Sequence, residues 1–374
     1  MTKTYQTDLN NIIEQVISPL AQKVDETGAF PREALDAMGE AGLLGLVSSS
    51  EVGGSGESHR AAAFVVERVA NACGSTAMVV CMHYAGAAVI EAFGDREKRE
   101  AIAKGKHVTT LAFSEYGSRS HFWAPMGTAT RKNGGISLNA KKSWVTSAGQ
   151  SDSYVWSSRP LAADGNSTLW LVPANAEGLS IPKPFDGLGL RGNHSSPVLA
   201  EGVVIESKDM LGSDGEGFDL MMKIVLPYFS VMSAAFSVGT MRAMTDKSIK
   251  HSAQTELQHL GNSLSNLPTV RAYLARMQIK TDMAHSLLAD ALDSLEKGRD
   301  DAMLRVLEIK AATGELVTEV TDLGMRVCGG AAFRKDSGLE RHFRDARAST
   351  VMAPTTDMLY DFIGRAICGI PLFE

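Results

Sequence analysis

The apolar residues of this chain change period twice, and that double change restricts its fold more than any single motif. From Leu9 to Val24 they recur at helical spacing. Pro31 then opens a second helical stretch, residues 32–41, which Gly42 ends. After the turn Gly53-Gly54-Ser55-Gly56, Ala-rich helices are predicted over 60–72 and 76–93, the second stopped by Gly94-Asp95. Near Thr109 the pattern shortens to runs of four to six residues separated by turn signals. Residues 127–131 and 136–139, joined by Asn133-Gly134-Gly135, read as a β-hairpin, and 153–157 and 168–172 as further strands, the last closed by Pro173. From Gly217 long helices return. Val306, Ile309, Thr313, Leu316, Val320, Leu323 and Val327 form one seam, and Val270, Leu274, Met277, Ala284, Leu288 and Leu295 another. The pattern predicts an α+β protein in three parts: an all-α domain over 1–108, an antiparallel β-barrel or sandwich over 109–212, and a helical bundle over 213–374.

Composition narrows the partners. A net charge of −6, without a Lys/Arg block, argues against nucleic acid or an anionic membrane surface. No uninterrupted apolar run of membrane-spanning length occurs, so no membrane span is expected. Cys73, Cys81, Cys328 and Cys368 lack metal-ligand spacing and sit in apolar or Gly/Ala-rich contexts, which predicts buried thiols in a reducing, cytoplasmic setting and no metal site.

Several short motifs recur in a fixed order. They are Phe30-Pro31-Arg32-Glu33-Ala34, Gly42-Leu43-Leu44-Gly45-Leu46, Phe93-Gly94-Asp95-Arg96-Glu97-Lys98 and Leu111-Ala112-Phe113-Ser114-Glu115. Lys142-Ser143-Trp144-Val145-Thr146-Ser147-Ala148, Gly187–Gly192 and Leu211–Phe218 follow, then the arginine-rich run from Arg341 to Arg347. In this order the chain resembles the acyl-CoA dehydrogenase superfamily along nearly its whole length. The resemblance implies a four-helix bundle as the C-terminal domain and FAD as cofactor, with FMN less favoured. It implies a flavin held at two strand ends by Phe113, Ser114, Trp144 and Thr146. Gly329 and Gly330 match a turn that approaches the cofactor pyrophosphate from a neighbouring subunit, where glycine permits close backbone approach to phosphate. Thr355 and Asp357 match the segment near the adenosine part, and Ser120, Tyr84 and Arg191 are the candidate substrate contacts. A homodimer or homotetramer is implied, with an electron-transfer flavoprotein or a flavin reductase as redox partner.

The departures gather at the expected site. Where the family carries its glutamate base this chain has Ala353, and where some members place that base instead it has Phe229. Abstraction of a proton α to a thioester depends on a general base within hydrogen-bond reach, and neither residue can serve. His83 and His121 are the candidate substitutes, because imidazole exchanges protons near neutral pH. The opposing reading is that His83 packs on an Ala-rich helix and His121 lies on an exposed loop. Arg341, Arg344, Asp345 and Arg347 read as an ion-pair cluster. Three functions stay open: a dehydrogenase-like enzyme acting on a small acyl thioester with unusual base chemistry, a flavin monooxygenase or oxidase, and a non-redox protein, either a flavin-bound thioester-processing enzyme or a catalytically silent scaffold subunit.

Overall fold

A computed structural model describes residues 4–118, 121–132 and 134–373. The N-terminal part comprises α1 (Thr4–Ile12), running through a π-helical turn into α2 (Ser18–Thr27), then α3 (Arg32–Glu40), α4 (His59–Ala72), α5 (Gly74–Phe93) and α6 (Arg96–Ala103). Local chemistry sets several starts. Ser58 accepts from Arg60 N to cap α4, and Asp95 accepts from Lys98 N to cap α6.

The central part holds two four-stranded sheets. One orders β1 (Thr109–Ala112), β4 (Ser153–Ser158), β5 (Thr168–Pro173) and β8 (Met210–Leu211). The other orders β2 (Thr128–Lys132), β3 (Gly135–Val145), β7 (Ser196–Ile205) and β6 (Leu179–Ser180). The β2–β3 hairpin pairs Thr128 with Asn139 through Lys132 with Gly135. The sheets do not close into a barrel. Their facing sides share a core that includes Leu138, Trp156, Trp170, Val172 and Val198, which is sandwich packing. Among these strands pairing is antiparallel except between β1 and β4, which run parallel, Thr109 beside Ser153. That exception follows from the chain path: the whole β2–β3 hairpin lies in the other sheet, so the chain returns to β1 by a long crossover.

After α7 (Gly217–Leu220) come α8 (Leu226–Gln254), α9 (Pro268–Glu296) and α10 (Ala302–Cys328), then α11 (Leu339–Ala346), α12 (Ala348–Val351) and α13 (Thr356–Ile367). Of the two predicted seams, every residue is buried except Leu316, Leu274 and Leu295, which are half-buried. The helix α8 shows no such seam because, from Phe229 through Met244, every residue but Arg242 is buried. Two stretches, Gly74–Phe93 and Gly217–Gln254, have the length and apolarity of a membrane span, and 72% and 83% of their most apolar windows are buried in the protein, as in core helices. Cys73, Cys81 and Cys328 are buried as expected, whereas Cys368 is exposed just beyond α13.

Backbone contact between α8 and α4 leaves no room at Gly239. A Cβ there would lie 2.2 Å from Glu67 O and 2.9 Å from Ala70 Cβ. Gly239→Ala should therefore force the two helices apart, and a loss of about 1–3 kcal/mol is expected in a denaturant titration. An unchanged midpoint would mean that the helices separate without cost.

Candidate functional site

The site begins with two strand ends pulled together by buried charge. Beyond β1 the chain stays extended, and Ser143 N donates to Ser114 O at 2.9 Å while Tyr116 N donates to Lys141 O at 3.1 Å. Between these bonds Lys142 Nζ donates to Glu115 Oε1 at 2.6 Å, with side-chain exposures of 0% and 3%. The same ammonium donates to Ser157 O at 2.7 Å and Ser157 Oγ at 2.9 Å, and lies 5.0 Å from the Trp156 ring centre. The second Glu115 oxygen accepts from Met126 N and Gly127 N, at 3.0 and 2.7 Å, so the same carboxylate anchors the far end of the loop after β1. Every strong valence of the pair has a partner, as a buried ion pair requires.

One residue further along β3 the register with β7 slips, between Lys142 and Val145. A bulge of this kind re-aims side chains. Trp144 there adopts φ of 56° and leaves 70% of its surface exposed. A bulky residue in the left-handed region is strained, and such strain collects at functional sites.

Ser114, Ser143 and Trp144 line one cavity together with Leu111, Phe113 and Phe122 from the β1 side. Its opposite wall is Met82 of α5, Val225, Leu226 and Phe229 at the start of α8, and Ala353 between α12 and α13. Both positions discussed for the family's glutamate thus reach the same cavity, beside the strand ends. Its lining contains no carboxylate among the described residues.

The other predicted residues are dispersed. Thr146 is buried just past the cavity, its hydroxyl 3.0 Å from Ser195 Oγ. Gly329 and Gly330 sit exposed at the end of α10, where a Cβ would meet nothing within 4 Å. Thr355 caps α13 by accepting from Met358 N, and Asp357 is exposed on its first turn. Arg191 is held away from the cavity, its Nε donating to Asp25 O at 2.8 Å, in a separate cleft with Phe185 and His194. Ser120 lies outside the described residues.

Neither candidate histidine lines the cavity. His83 is fully buried; its Nε2 is 3.0 Å from Leu44 O and its Nδ1 accepts from Thr109 N at 3.2 Å. Both nitrogens are thereby taken by backbone, and burial pushes the imidazole down to about 4. Tyr84 beside it is likewise in the core, donating to Leu43 O at 2.7 Å. His121 is exposed, edge-on to Trp123 at 5.1 Å, in a wider groove shared with Arg159, Phe362 and Phe373. The arginine cluster is only partly ionic. Arg344 pairs with Asp25 and Glu340, whereas Arg341 donates to Ala72 O, Arg347 stacks over Phe343, and Asp345 accepts from Leu190 N.

Lys310 of α10 is the residue that the sequence reading passed over. It is 1% exposed, and its Nζ donates to Met352 O at 3.0 Å and Pro354 O at 2.6 Å, the carbonyls on either side of Ala353. The Phe229 ring centre lies 5.6 Å from the same nitrogen. Burial without a carboxylate partner pushes the ammonium down to about 7. A signal was present: Lys310 falls four residues after Val306 and three before Thr313, inside the apolar seam.

Sequence profiles of the acyl-CoA dehydrogenase N-terminal, middle and C-terminal domains match residues 2–105, 110–203 and 215–368. The probable acyl-CoA dehydrogenase YngJ of Bacillus subtilis is 26% identical over 367 residues, covering 96% of each chain. Among solved structures, a glutaryl-coenzyme A dehydrogenase bound to glutaryl-CoA superposes with a TM-score of 0.92 at 22% identity, over 100% of this chain and 97% of that one. An FAD complex of PigA superposes with a TM-score of 0.89 at 18% identity, over 98% of each. The chain belongs to the acyl-CoA dehydrogenase superfamily, a family of flavin oxidoreductases.

Lys142→Met should remove one partner of the buried pair and cost about 3–5 kcal/mol in a denaturant titration, with weaker flavin retention. Glu115→Gln added to it should restore part of that loss; an additive double variant would contradict the pairing. His83 gives a pH test. Its folded value lies below the ordinary 6.5, so the unfolded chain takes up a proton first as pH falls. Stability is therefore lost between about 6.5 and 4. His83→Gln should flatten that slope by up to about 1.4 kcal/mol per pH unit. A slope equal to the parent's would show that His83 is not held neutral.

Proposed function

We propose that the protein is an FAD-dependent oxidoreductase that exchanges hydride with a small acyl thioester. Its proton step uses no carboxylate at either position where the family carries one. The observation that carries this reading is the single cavity joining Ser114, Ser143 and Trp144 to Phe229 and Ala353. The donor set suits a flavin: uncharged strand-end groups and an exposed indole face accept a flat ring system without fixing its charge in advance. Ser114, Trp144 and Thr146 would hold that ring, and FAD when bound supplies the hydride acceptor. The names of the relatives, a probable acyl-CoA dehydrogenase, a glutaryl-CoA complex and an FAD complex, support the same cofactor and substrate class.

The segments 1–108, 109–212 and 213–374 act as three domains in this reading. The exposed Gly329-Gly330 turn serves a neighbouring subunit's cofactor in a homodimer or homotetramer, and the electron acceptor is an electron-transfer flavoprotein or a flavin reductase. The setting is cytoplasmic. His83 drops out as the substitute base, since both of its nitrogens are engaged. His121 lies in the outer groove and not in the cavity lining.

The apolar lining at Ala353 and Phe229 favours one second reading, a flavin monooxygenase or oxidase, because the reaction of a reduced flavin with oxygen needs no α-base. Anaerobic mixing of the flavin-loaded protein with acetyl-, butyryl- and octanoyl-CoA separates the two. Bleaching of the visible flavin band is expected. No bleaching, with oxygen consumed once a chemical reductant is added, would overturn the first reading in favour of the second.

A further inference from the structure

Alanine at position 353 leaves space in the cavity wall, and space beside a flexible connection is ordinarily lost as the backbone relaxes into it. Met352 N bonds Ala348 O and Thr355 O accepts from Leu359 N, so the ends of the connection between α12 and α13 belong to the helices, whereas Ala353 and Pro354 between them lie in neither. Lys310 supplies what neither helix does. It bonds the carbonyls on both sides of Ala353, and its third face is turned to Phe229. The two places where a carboxylate would otherwise stand are therefore tied to one buried lysine on a third element, α10.

We infer that Lys310 is a positioning residue that holds the Ala353 connection and Phe229 as one fixed wall, keeping the space at Ala353 open as substrate space. The inference rests on reading this cavity as the substrate side of the flavin site. The geometry suits the task. A lysine ammonium has three donors, and two carbonyls with one aromatic face use all three directions. Among the described residues its hydrogen-bond acceptors are those two carbonyls and no carboxylate, and the titratable group that acts on it is the Cys81 thiol of α5, which burial pushes up to about 12. The nitrogen is met by dipoles alone, and its charged and its neutral form can each donate to both carbonyls, an arrangement that fixes backbone without a carboxylate at the cavity.

The test uses the flavin-loaded protein with Lys310→Met, which keeps the apolar stem and removes the donors, and Lys310→Gln, which keeps an N–H donor. Hydrogen exchange should accelerate about tenfold or more across residues 352–358 in Lys310→Met, the loss expected from charge-assisted hydrogen bonds. Lys310→Gln should be intermediate, and β3 should be unchanged in both. If Lys310→Met does not fold, the Lys310→Gln comparison decides alone. Titration with the acetyl-, butyryl- and octanoyl-CoA series, followed through the flavin band, should show weaker binding in Lys310→Met and a smaller change in the reduction rate at saturation. Parental exchange rates at 352–358 in the variants would overturn the inference, and so would a uniform rise across the protein. If no acyl-CoA perturbs the flavin of the parent protein, the functional reading fails, while the exchange result still judges Lys310.

Discussion

Lys142 and Glu115 meet where no water reaches either, and the rest of the site is arranged around their contact. The pair joins the continuation of β1 to β3, and the free carboxylate oxygen catches the backbone at Met126 and Gly127. Three segments are thereby referred to one point: the strand end carrying Ser114, the bulge carrying Trp144, and the loop returning through Phe122. A charged pair costs much to bury, so it is favourable here only because Ser157 and two backbone amides complete it. Such a pair tolerates little displacement, which suits a place where two strands must present side chains to one cavity.

A second buried lysine works by a different logic. Lys142 is neutralised by a carboxylate, whereas Lys310 is met by carbonyl dipoles and a ring face. The first locks strand to strand. The second locks a connection between helices to the helix beneath it. Together they frame the cavity from its two sides, one at the strand ends and one at the Ala353 and Phe229 wall.

Much of this was legible in the sequence. The two changes of period separated the sheets from the helices, the Asn133-Gly134-Gly135 signal located the β2–β3 hairpin, and the motif residues Ser114, Trp144, Phe229 and Ala353 do come together. What escaped has physical causes. The helix α8 is buried on nearly every side from Phe229 to Met244 and so shows no seam there, and a helix of that kind gives no hint of what it packs against. The same difficulty made His83 look available: α5 is equally enveloped, and the partners that fill both imidazole nitrogens, Leu44 and Thr109, lie tens of residues away in sequence. Lys310 stood in plain view within an apolar seam, yet a lysine at a seam position is usually read as a side chain reaching out to water. The parallel β1–β4 pair depended on the route of the chain between sheets, which local pattern does not encode.

The conformation of Trp144 carries one more consequence, for how the protein can be observed. Of the chain's four tryptophans, Trp156 and Trp170 are fully enclosed between the sheets and Trp123 is wedged among Phe122, Phe362 and Phe373, while Trp144 stands at the cavity mouth. Collisional quenchers dissolved in water would therefore dim chiefly this one indole. The strained turn that exposes the ring also gives the protein a built-in optical reporter for whatever covers the mouth.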